Sequence, residues 1–160
     1  MLERPCPQCG VDASALSPEQ VPDLLRQNAQ AWVEVLSRDD VSARRDPSVW
    51  SPLEYACHVR DVHRVFDDRL ALMLDRDDPA FENWDQDAAA IEGGYADAVP
   101  REVGTQLEEA AERVAQRYEG VAADQWARTG RRSNGAVFTV ATLGQYQAHD
   151  VLHHLWDVQD

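Results

Sequence analysis

The chain has 160 residues, with 15 arginines, no lysine and 29 acidic residues, so its net charge is −14 at neutral pH. This length suits one domain, and so acidic a surface argues against nucleic-acid and membrane-surface partners because it repels phosphates. No run of about 18 apolar residues occurs, so we expect no membrane-spanning helix. The start lacks a secretory pattern and 3 cysteines cannot form a disulfide framework, so we expect a cytoplasmic protein.

Residues 1–16 are predicted to form an irregular tail, because prolines and a glycine interrupt any regular element. The tail carries Cys6 and Cys9 at the spacing of one knuckle of a zinc ribbon, and a four-ligand zinc site needs a second pair of ligands. Cys57 is the remaining cysteine, so a structural zinc ion at Cys6 and Cys9 would need further ligands, for example across a dimer. A reduced tail without metal is the alternative.

Residues 17–160 are predicted to form one helical domain. The first helix opens at the capping box Ser17-Pro18-Glu19-Gln20 and ends near residues 38–40. The second opens at the capping box Ser51-Pro52-Leu53-Glu54, where Trp50 and Tyr55 are placed to pair as a hydrophobic staple.

The second half of the chain is predicted to supply two more long helices. The connection over residues 79–99 contains one short helix near 84–92. A third long helix covers residues 100–121, a small hairpin is expected within 122–138, and the last helix covers 139–158. The last helix is apolar on most sides, so it is expected to be buried by the others.

These elements predict an all-α protein, a four-helix bundle. About 20 residues separate the second and third long helices, which is enough for a crossover connection that leaves them parallel. The resulting order is up-down-down-up.

The histidines of the second and last helices suggest a metal site. His149 and His153 are four residues apart, so they project from one face of a helix and can reach one ion. His58 lies on the inward stripe of the second helix at a matching depth if these two helices are antiparallel. The prediction is therefore an open three-ligand site formed by His58, His149 and His153. A set of core histidines without metal is the alternative.

Neighbouring residues are given lesser roles. His63 is predicted to lie at the surface, His154 to pack beside the ligands or orient them, and Asp150 to be a solvated carboxylate. Asp61 and Asp157 are each about one turn from a ligand, so they could accept hydrogen bonds from imidazoles. The candidates for lining a pocket are Trp156, Tyr146, Trp84 and Trp126. Arg128, Arg131 and Arg132 form a basic cluster before the last helix, which could bind a carboxylate substrate or a partner's acidic patch.

Two segments together resemble the DinB/YfiT-like superfamily of metal-dependent enzymes. They are residues 50–59, Trp-Ser-Pro-Leu-Glu-Tyr-Ala-Cys-His-Val, and residues 149–154, His-Asp-Val-Leu-His-His. The resemblance covers residues 20–158 and implies a four-helix bundle with the crossover connection. It also implies a divalent metal, Zn, Ni or Fe, with His58, His149 and His153 as its ligands.

The resemblance implies an activity as well. Relatives include bacillithiol S-transferases and mycothiol-dependent maleylpyruvate isomerase, which use a low-molecular-weight thiol. We therefore expect a metal-dependent transferase that joins such a thiol to a small electrophilic substrate. A hydrolase or isomerase using the same site and a non-catalytic metal-binding bundle are the alternatives, and a homodimer is expected since family members often form one.

Overall fold

The computed structural model describes residues 4–159. The helices are α1 (Val21–Leu36), α2 (Pro52–Asp75), α3 (Gln86–Glu92), α4 (Pro100–Glu119) and α5 (Val140–Asp157). The strands are β1 (Ala80–Phe81), β2 (Thr129–Arg132) and β3 (Val137–Thr139), and short 3₁₀ turns cover Ala13–Ala15, Pro18–Gln20 and Tyr95–Asp97. No helix within these residues has the length and apolar character needed to cross a membrane.

The start of α2 is built as predicted. The Ser51 hydroxyl accepts a hydrogen bond from the Glu54 N–H at 3.2 Å, and the Glu54 carboxylate accepts one from the Ser51 N–H at 2.8 Å. The Trp50 and Tyr55 rings pack edge to face with centroids 5.5 Å apart, which confirms the hydrophobic staple. These contacts fix the first turn of α2, two turns before His58.

The start of α1 differs slightly from the prediction. Gln20 Oε1 accepts a hydrogen bond from the Ser17 N–H at 3.0 Å, as a capping box requires. The first turn is nevertheless a 3₁₀ turn, and the α-helix begins only at Val21. Pro22 has no N–H to donate back to the carbonyl of Pro18, so the turn is closed by an i to i+3 bond instead.

Helices α2 and α5 run antiparallel. The rings of His58 and His154 lie 4.7 Å apart, and those of Phe66 and Tyr146 lie 6.0 Å apart. The residue numbers therefore rise along one helix while they fall along the other. This brings the first half of α2 against the last turns of α5.

Helices α2 and α4 run parallel, as the crossover connection requires. Arg60 donates to Gln106 at 2.9 Å, and Arg117 donates to Asp67 at 2.5 Å. Numbers rise together along both helices, so the chain returns over residues 76–99 before it enters α4.

Helices α1 and α5 are also parallel. Gly144 faces Val21, and the Asn28 amide donates to the Val151 carbonyl at 2.9 Å. With α2 antiparallel to α5, the four long helices have the order up-down-down-up, which confirms the predicted bundle. The core between them contains large side chains without solvent exposure, among them Trp32, Leu25, Leu70, Leu107 and Leu143.

A small sheet closes the end of the bundle where α2 ends and α5 begins. Strands β2 and β3 form the predicted hairpin, and β1 joins β2 in parallel, with Phe81 opposite Arg132. Strand β1 was not predicted from the sequence, because two residues are too few to show an alternating pattern. The sheet places Arg132 at 5.8 Å from the Tyr146 ring of α5.

The N-terminal segment packs along α5. Gln145 of α5 donates to the Leu16 carbonyl at 2.9 Å, and Ala13 is buried. Cys6 and Cys9 thereby reach the C-terminal half of α5. The division of the chain at residue 16 stays a prediction.

Candidate metal centre

The last turns of α5 present two pairs of potential metal ligands. Each pair is four residues apart, so its members project from the same face one turn from each other. Asp150 and His154 face α2, whereas His149 and His153 face the N-terminal segment. The two pairs differ by a single residue, which turns them about 100° apart around the helix.

The first group, called the His58 cluster below, consists of His58, Asp150 and His154. Its ligand atoms all lie within 4.8 Å of one another. The Nε2 atoms of His58 and His154 each lie 3.9 Å from a carboxylate oxygen of Asp150. Two imidazoles and one carboxylate around a common point are a donor set for a catalytic divalent ion with an open position.

The environment of His58 fits a metal ligand. Its side chain is almost fully buried, and within residues 4–159 neither ring nitrogen has a hydrogen-bond partner. Burial, together with the charge of the nearby His154, lowers the pKa of His58 to about 3, so the ring is neutral and its nitrogen lone pair is free. Leaving a buried nitrogen unpaired costs free energy that coordination of an ion would offset.

Aromatic rings hold His58 in place. Trp84 stacks on it with centroids 5.3 Å apart and planes 5° apart, and Trp50 contacts it at 5.3 Å. Tyr55 lies at the same distance, 5.3 Å, from the ring of His154. The rings limit rotation of both imidazoles and exclude water from one side of the cluster.

A cavity of about 250 Å³ opens beside the cluster. His58 and Asp150 form part of its wall, and the aromatic side chains of Phe66, Trp84 and Tyr146 form another part. Burial raises the pKa of Asp150, while His154 and His153 oppose that shift. Two of the three residues of the cluster therefore border a small space whose wall includes aromatic side chains.

Two arginines line the same cavity. Arg69 donates to the Glu82 carbonyl at 3.0 Å, and Arg132 donates to the Asn134 side chain at 2.9 Å. Burial lowers the pKa of Arg69, and Arg132 adds to this by repulsion between like charges. Neither guanidinium forms an ion pair with a carboxylate in the described part of the chain, so the cavity has a positively charged wall.

The other members of the basic cluster point elsewhere. Arg128 donates to the carbonyls of Met73 and Arg76, and Arg131 pairs with Asp78 at 2.7 Å. Of the three arginines considered together in the sequence, only Arg132 lines the cavity.

The second group, called the Cys6 cluster below, consists of Cys6, Cys9, His149 and His153. Its ligand atoms also lie within 4.8 Å of one another. Cys6 Sγ lies 3.8 Å from His153 Nδ1, and Cys9 Sγ lies 3.7 Å from His149 Nε2. Backbone N–H groups of Cys9 and Gln8 hydrogen-bond to the Cys6 sulfur and lower the pKa of that thiol.

The predicted ligand set is divided between these clusters. The structure places His58 with Asp150 and His154, whereas it places His149 and His153 with the two cysteines. A site shared by His58, His149 and His153 stays a prediction, and the side-chain arrangement favours the two separate groups. Asp150 and His154 have the same i to i+4 spacing, but a pattern of paired histidines does not include them.

The residues predicted to orient the ligands have separate environments. Asp157 lies 2.9 Å from His154 Nδ1 and 3.7 Å from His153 Nε2. Asp61 instead accepts hydrogen bonds from the Tyr95 hydroxyl and from Arg60 and Arg64.

The pocket candidates also differ in position. Tyr146 and Trp84 line the cavity, while Trp126 stacks on Tyr118 with ring centroids 6.4 Å apart. Trp156 is 42% exposed and packs its ring 5.7 Å from that of His153.

Two interpretations of polar side chains were wrong. His63 was predicted to lie at the surface, but it is fully buried, with Nδ1 at 3.2 Å from the Gln147 amide nitrogen. The long α2 is covered by both α4 and α5, so a residue off the inward stripe is buried as well. Asp150 was predicted to be solvated, but it is partly buried beside His58.

Comparisons with known proteins agree with this fold. The sequence profile of the DinB superfamily matches residues 23–158. The solved structure of YfiT from Bacillus subtilis, described as a probable metal-dependent hydrolase with an unusual four-helix bundle topology, is similar with a TM-score of 0.68. The two chains are 22% identical, and the match covers 88% of this chain and 80% of YfiT, a likeness that shows the fold. No curated protein matches the chain.

Proposed function

Since the chain belongs to the DinB superfamily, we propose that it is an enzyme that uses a divalent metal ion held by His58, Asp150 and His154. The observation that carries the proposal is the state of His58. It is a neutral imidazole with 1% exposure, and both its nitrogens lack a hydrogen-bond partner among residues 4–159. A core histidine without a ligand would be expected to satisfy at least one of them.

The substrate proposed for this site is a small molecule with an anionic group. A cavity of about 250 Å³ holds only a small ligand, and its aromatic wall suits an apolar part. Arg69 and Arg132 offer guanidinium groups that recognise a carboxylate. In a protein with a net charge of −14, these two cations provide a local attraction for an anion.

The reaction that we propose first is transfer of a low-molecular-weight thiol to an electrophilic carbon. When bound, a divalent ion supplies a Lewis acid that favours the thiolate over the thiol. The sulfur forms a bond to the carbon, the thiol proton passes to solvent, and the leaving group departs with the bonding electron pair. The protein's own contribution is to orient the substrate through Arg69 and Arg132 and to exclude water with Trp84 and Tyr146.

Hydrolysis is the second candidate. YfiT, which shares the fold, is described as a probable metal-dependent hydrolase. The same three donors and open position can activate water instead of a thiol. The two reactions differ in the nucleophile and are separated by the products.

The proposal is tested by metal analysis and by product analysis of the full chain. Protein purified without chelator is reloaded with Zn²⁺, Ni²⁺ or Fe²⁺, and ions per chain are counted for the wild type, His58→Ala and His154→Ala. His63→Gln is the matched control, because it is also a buried histidine of α2 but lies outside the cluster. We expect one ion fewer per chain in the first two variants and no change in the control.

Product analysis then separates the two reactions. A panel of cofactor thiols is incubated with small electrophilic acids, and thioethers are sought by mass spectrometry. A thioether that forms with wild type and His63→Gln, and not with His58→Ala, supports thiol transfer. A product that has gained an oxygen atom from water and no sulfur from the thiol supports hydrolysis. An unchanged ion count in His58→Ala contradicts the metal site itself.

A further inference from the structure

We propose that Cys6, Cys9, His149 and His153 form a second metal site, a structural Zn²⁺ site that fastens the N-terminal segment to α5. The first argument is the donor set. Two thiolates and two imidazoles are a complete tetrahedral set for zinc, which leaves no open position for a substrate. Soft sulfur donors also select against Mg²⁺, Ca²⁺ and Mn²⁺, which prefer oxygen.

The distances within the Cys6 cluster match those of such a site. With Zn–S near 2.3 Å and Zn–N near 2.0–2.1 Å, a tetrahedron separates sulfur from nitrogen by roughly 3.6 Å. The structure gives 3.8 Å for Cys6 Sγ to His153 Nδ1 and 3.7 Å for Cys9 Sγ to His149 Nε2. These pairs need to move by only one or two tenths of an ångström, roughly, to share an ion.

The backbone around the cysteines has the form of a metal-binding knuckle. The Gly10 N–H donates to the Cys6 carbonyl at 2.9 Å, and Gly10 has a φ of +76°, which favours glycine. The Cys6 N–H donates to the Val11 carbonyl at 2.9 Å, which closes the loop.

The histidine side of the cluster is also prepared for an ion. Nδ1 of His153 faces Cys6, and its Nε2 lies 3.7 Å from the carboxylate of Asp157. A carboxylate behind a ligating histidine orients the ring and increases its basicity. His149 is buried, and its Nδ1 has no hydrogen-bond partner in the described part of the chain.

The ion would connect distant parts of the sequence. The cysteine and histidine of each pair are 147 and 140 residues apart. Because the unfolded chain does not hold these ligands together, binding of the ion stabilises the folded state, and it holds the segment against the helix that also carries Asp150 and His154. The site is separate from the proposed catalytic centre, because the two clusters share no residue.

The test uses the full chain loaded with Co²⁺ or Zn²⁺, with Cys6→Ser/Cys9→Ser as the variant. Cys57→Ser is the matched control, since Cys57 is the third cysteine and is buried away from the cluster. With Co²⁺ we expect a thiolate-to-metal charge-transfer band in the wild type, in Cys57→Ser and in His58→Ala. The band should be absent from the double variant, which should hold one ion fewer per chain.

The Tm of the wild type, measured with and without a chelator, provides a second test that does not require the variants to fold normally. Chelation should lower its Tm, and adding Zn²⁺ should restore it, while chelation of the double variant should produce a smaller change. The proposal is overturned if the double variant keeps the full ion count, or if the reduced wild type loaded with Co²⁺ shows no sulfur band. Loss of every ion in both His58→Ala and the double variant would indicate a single shared site and would also overturn it.

These outcomes distinguish the second site from the proposed catalytic site. Failure of the Cys6 cluster leaves one ion that depends on His58. Failure of the His58 cluster leaves one ion that depends on Cys6 and Cys9.

Discussion

The Nδ1–H of His154 donates a hydrogen bond to the carboxylate of Asp157 at 2.9 Å. A carboxylate can only accept, so this bond places the proton of a neutral ring on Nδ1 and leaves the Nε2 lone pair free. That Nε2 lies 3.9 Å from Asp150, on the side of the cluster where the ion is proposed to bind. The other oxygen of Asp157 faces His153, so one carboxylate contacts a histidine of each cluster.

The first prediction concerns this carboxylate. Asp157→Asn replaces a charged acceptor with a neutral amide, so both imidazoles become weaker ligands. We expect metal affinity at the His58 cluster to fall by about 10–100-fold, as for other partners of ligating histidines. Competition with a chelator of known affinity measures the change. Asp124→Asn is the control, because Asp124 is an exposed acid outside both clusters, and equal affinities in the two variants would contradict the role of Asp157.

The second prediction concerns recognition of an anion. Arg132→Gln removes one of the two positive charges of the cavity, so a carboxylate loses a charge-assisted hydrogen bond. We expect benzoate, used as a probe, to bind at least about tenfold more weakly, which corresponds to loss of a bond worth 1.5–3 kcal/mol. Quenching of tryptophan fluorescence can report binding because Trp84 lines the cavity. Arg131→Gln is the control, because Arg131 is next to Arg132 in the chain but pairs with Asp78. If both substitutions weaken benzoate binding equally, the cavity does not contain a specific anion site.

The third prediction concerns acid stability. Burial lowers the pKa of His63 in the folded state to about 3, from an ordinary value of 6.5. As the pH falls below 6.5, the unfolded chain takes up a proton at this position that the folded chain does not. His63 therefore lowers the free energy of unfolding by up to about 1.4 kcal/mol per pH unit between roughly pH 6 and pH 4.

Substitution by glutamine isolates that contribution. His63→Gln keeps a polar group near Gln147 and does not titrate, so its stability should fall less steeply with acid. The measurement is urea unfolding of the metal-free variant and the metal-free wild type from pH 7 to pH 4. His58 is present in both proteins, so its titration does not contribute to the difference between them. Parallel pH profiles would show that His63 takes up its proton while the protein remains folded.

The fourth prediction concerns the cap of α2. Ser51→Ala removes the hydroxyl that accepts from the Glu54 N–H, and we expect a loss of about 1 kcal/mol in the free energy of unfolding. Urea denaturation measures it. Ser48→Ala is the control, since Ser48 is exposed in the preceding loop and caps no helix. A loss in Ser51→Ala no larger than in the control would mean that the cap contributes little.

Local sequence patterns were sufficient to predict the long helices and their order. The Ser51 box fixes the start of α2 through hydrogen bonds between residues three apart. Such contacts depend on neighbouring residues alone, so they can be recognised without the fold. The length of the connection between α2 and α4 likewise allowed the crossover that the structure contains.

The rotation of α5 was decided only in the tertiary structure. Because this helix is apolar on most sides, its sequence does not indicate which face meets α2. A rotation of about 100°, one residue, determines whether His149 and His153 or Asp150 and His154 lie beside His58. The position of Cys6 and Cys9 could not be predicted from the sequence either. An irregular segment has no periodicity, and the residues that it contacts lie more than a hundred positions away along the chain. The sequence thus determined which helix carries the candidate ligands, whereas packing among all the helices and the N-terminal segment decided how those side chains are grouped.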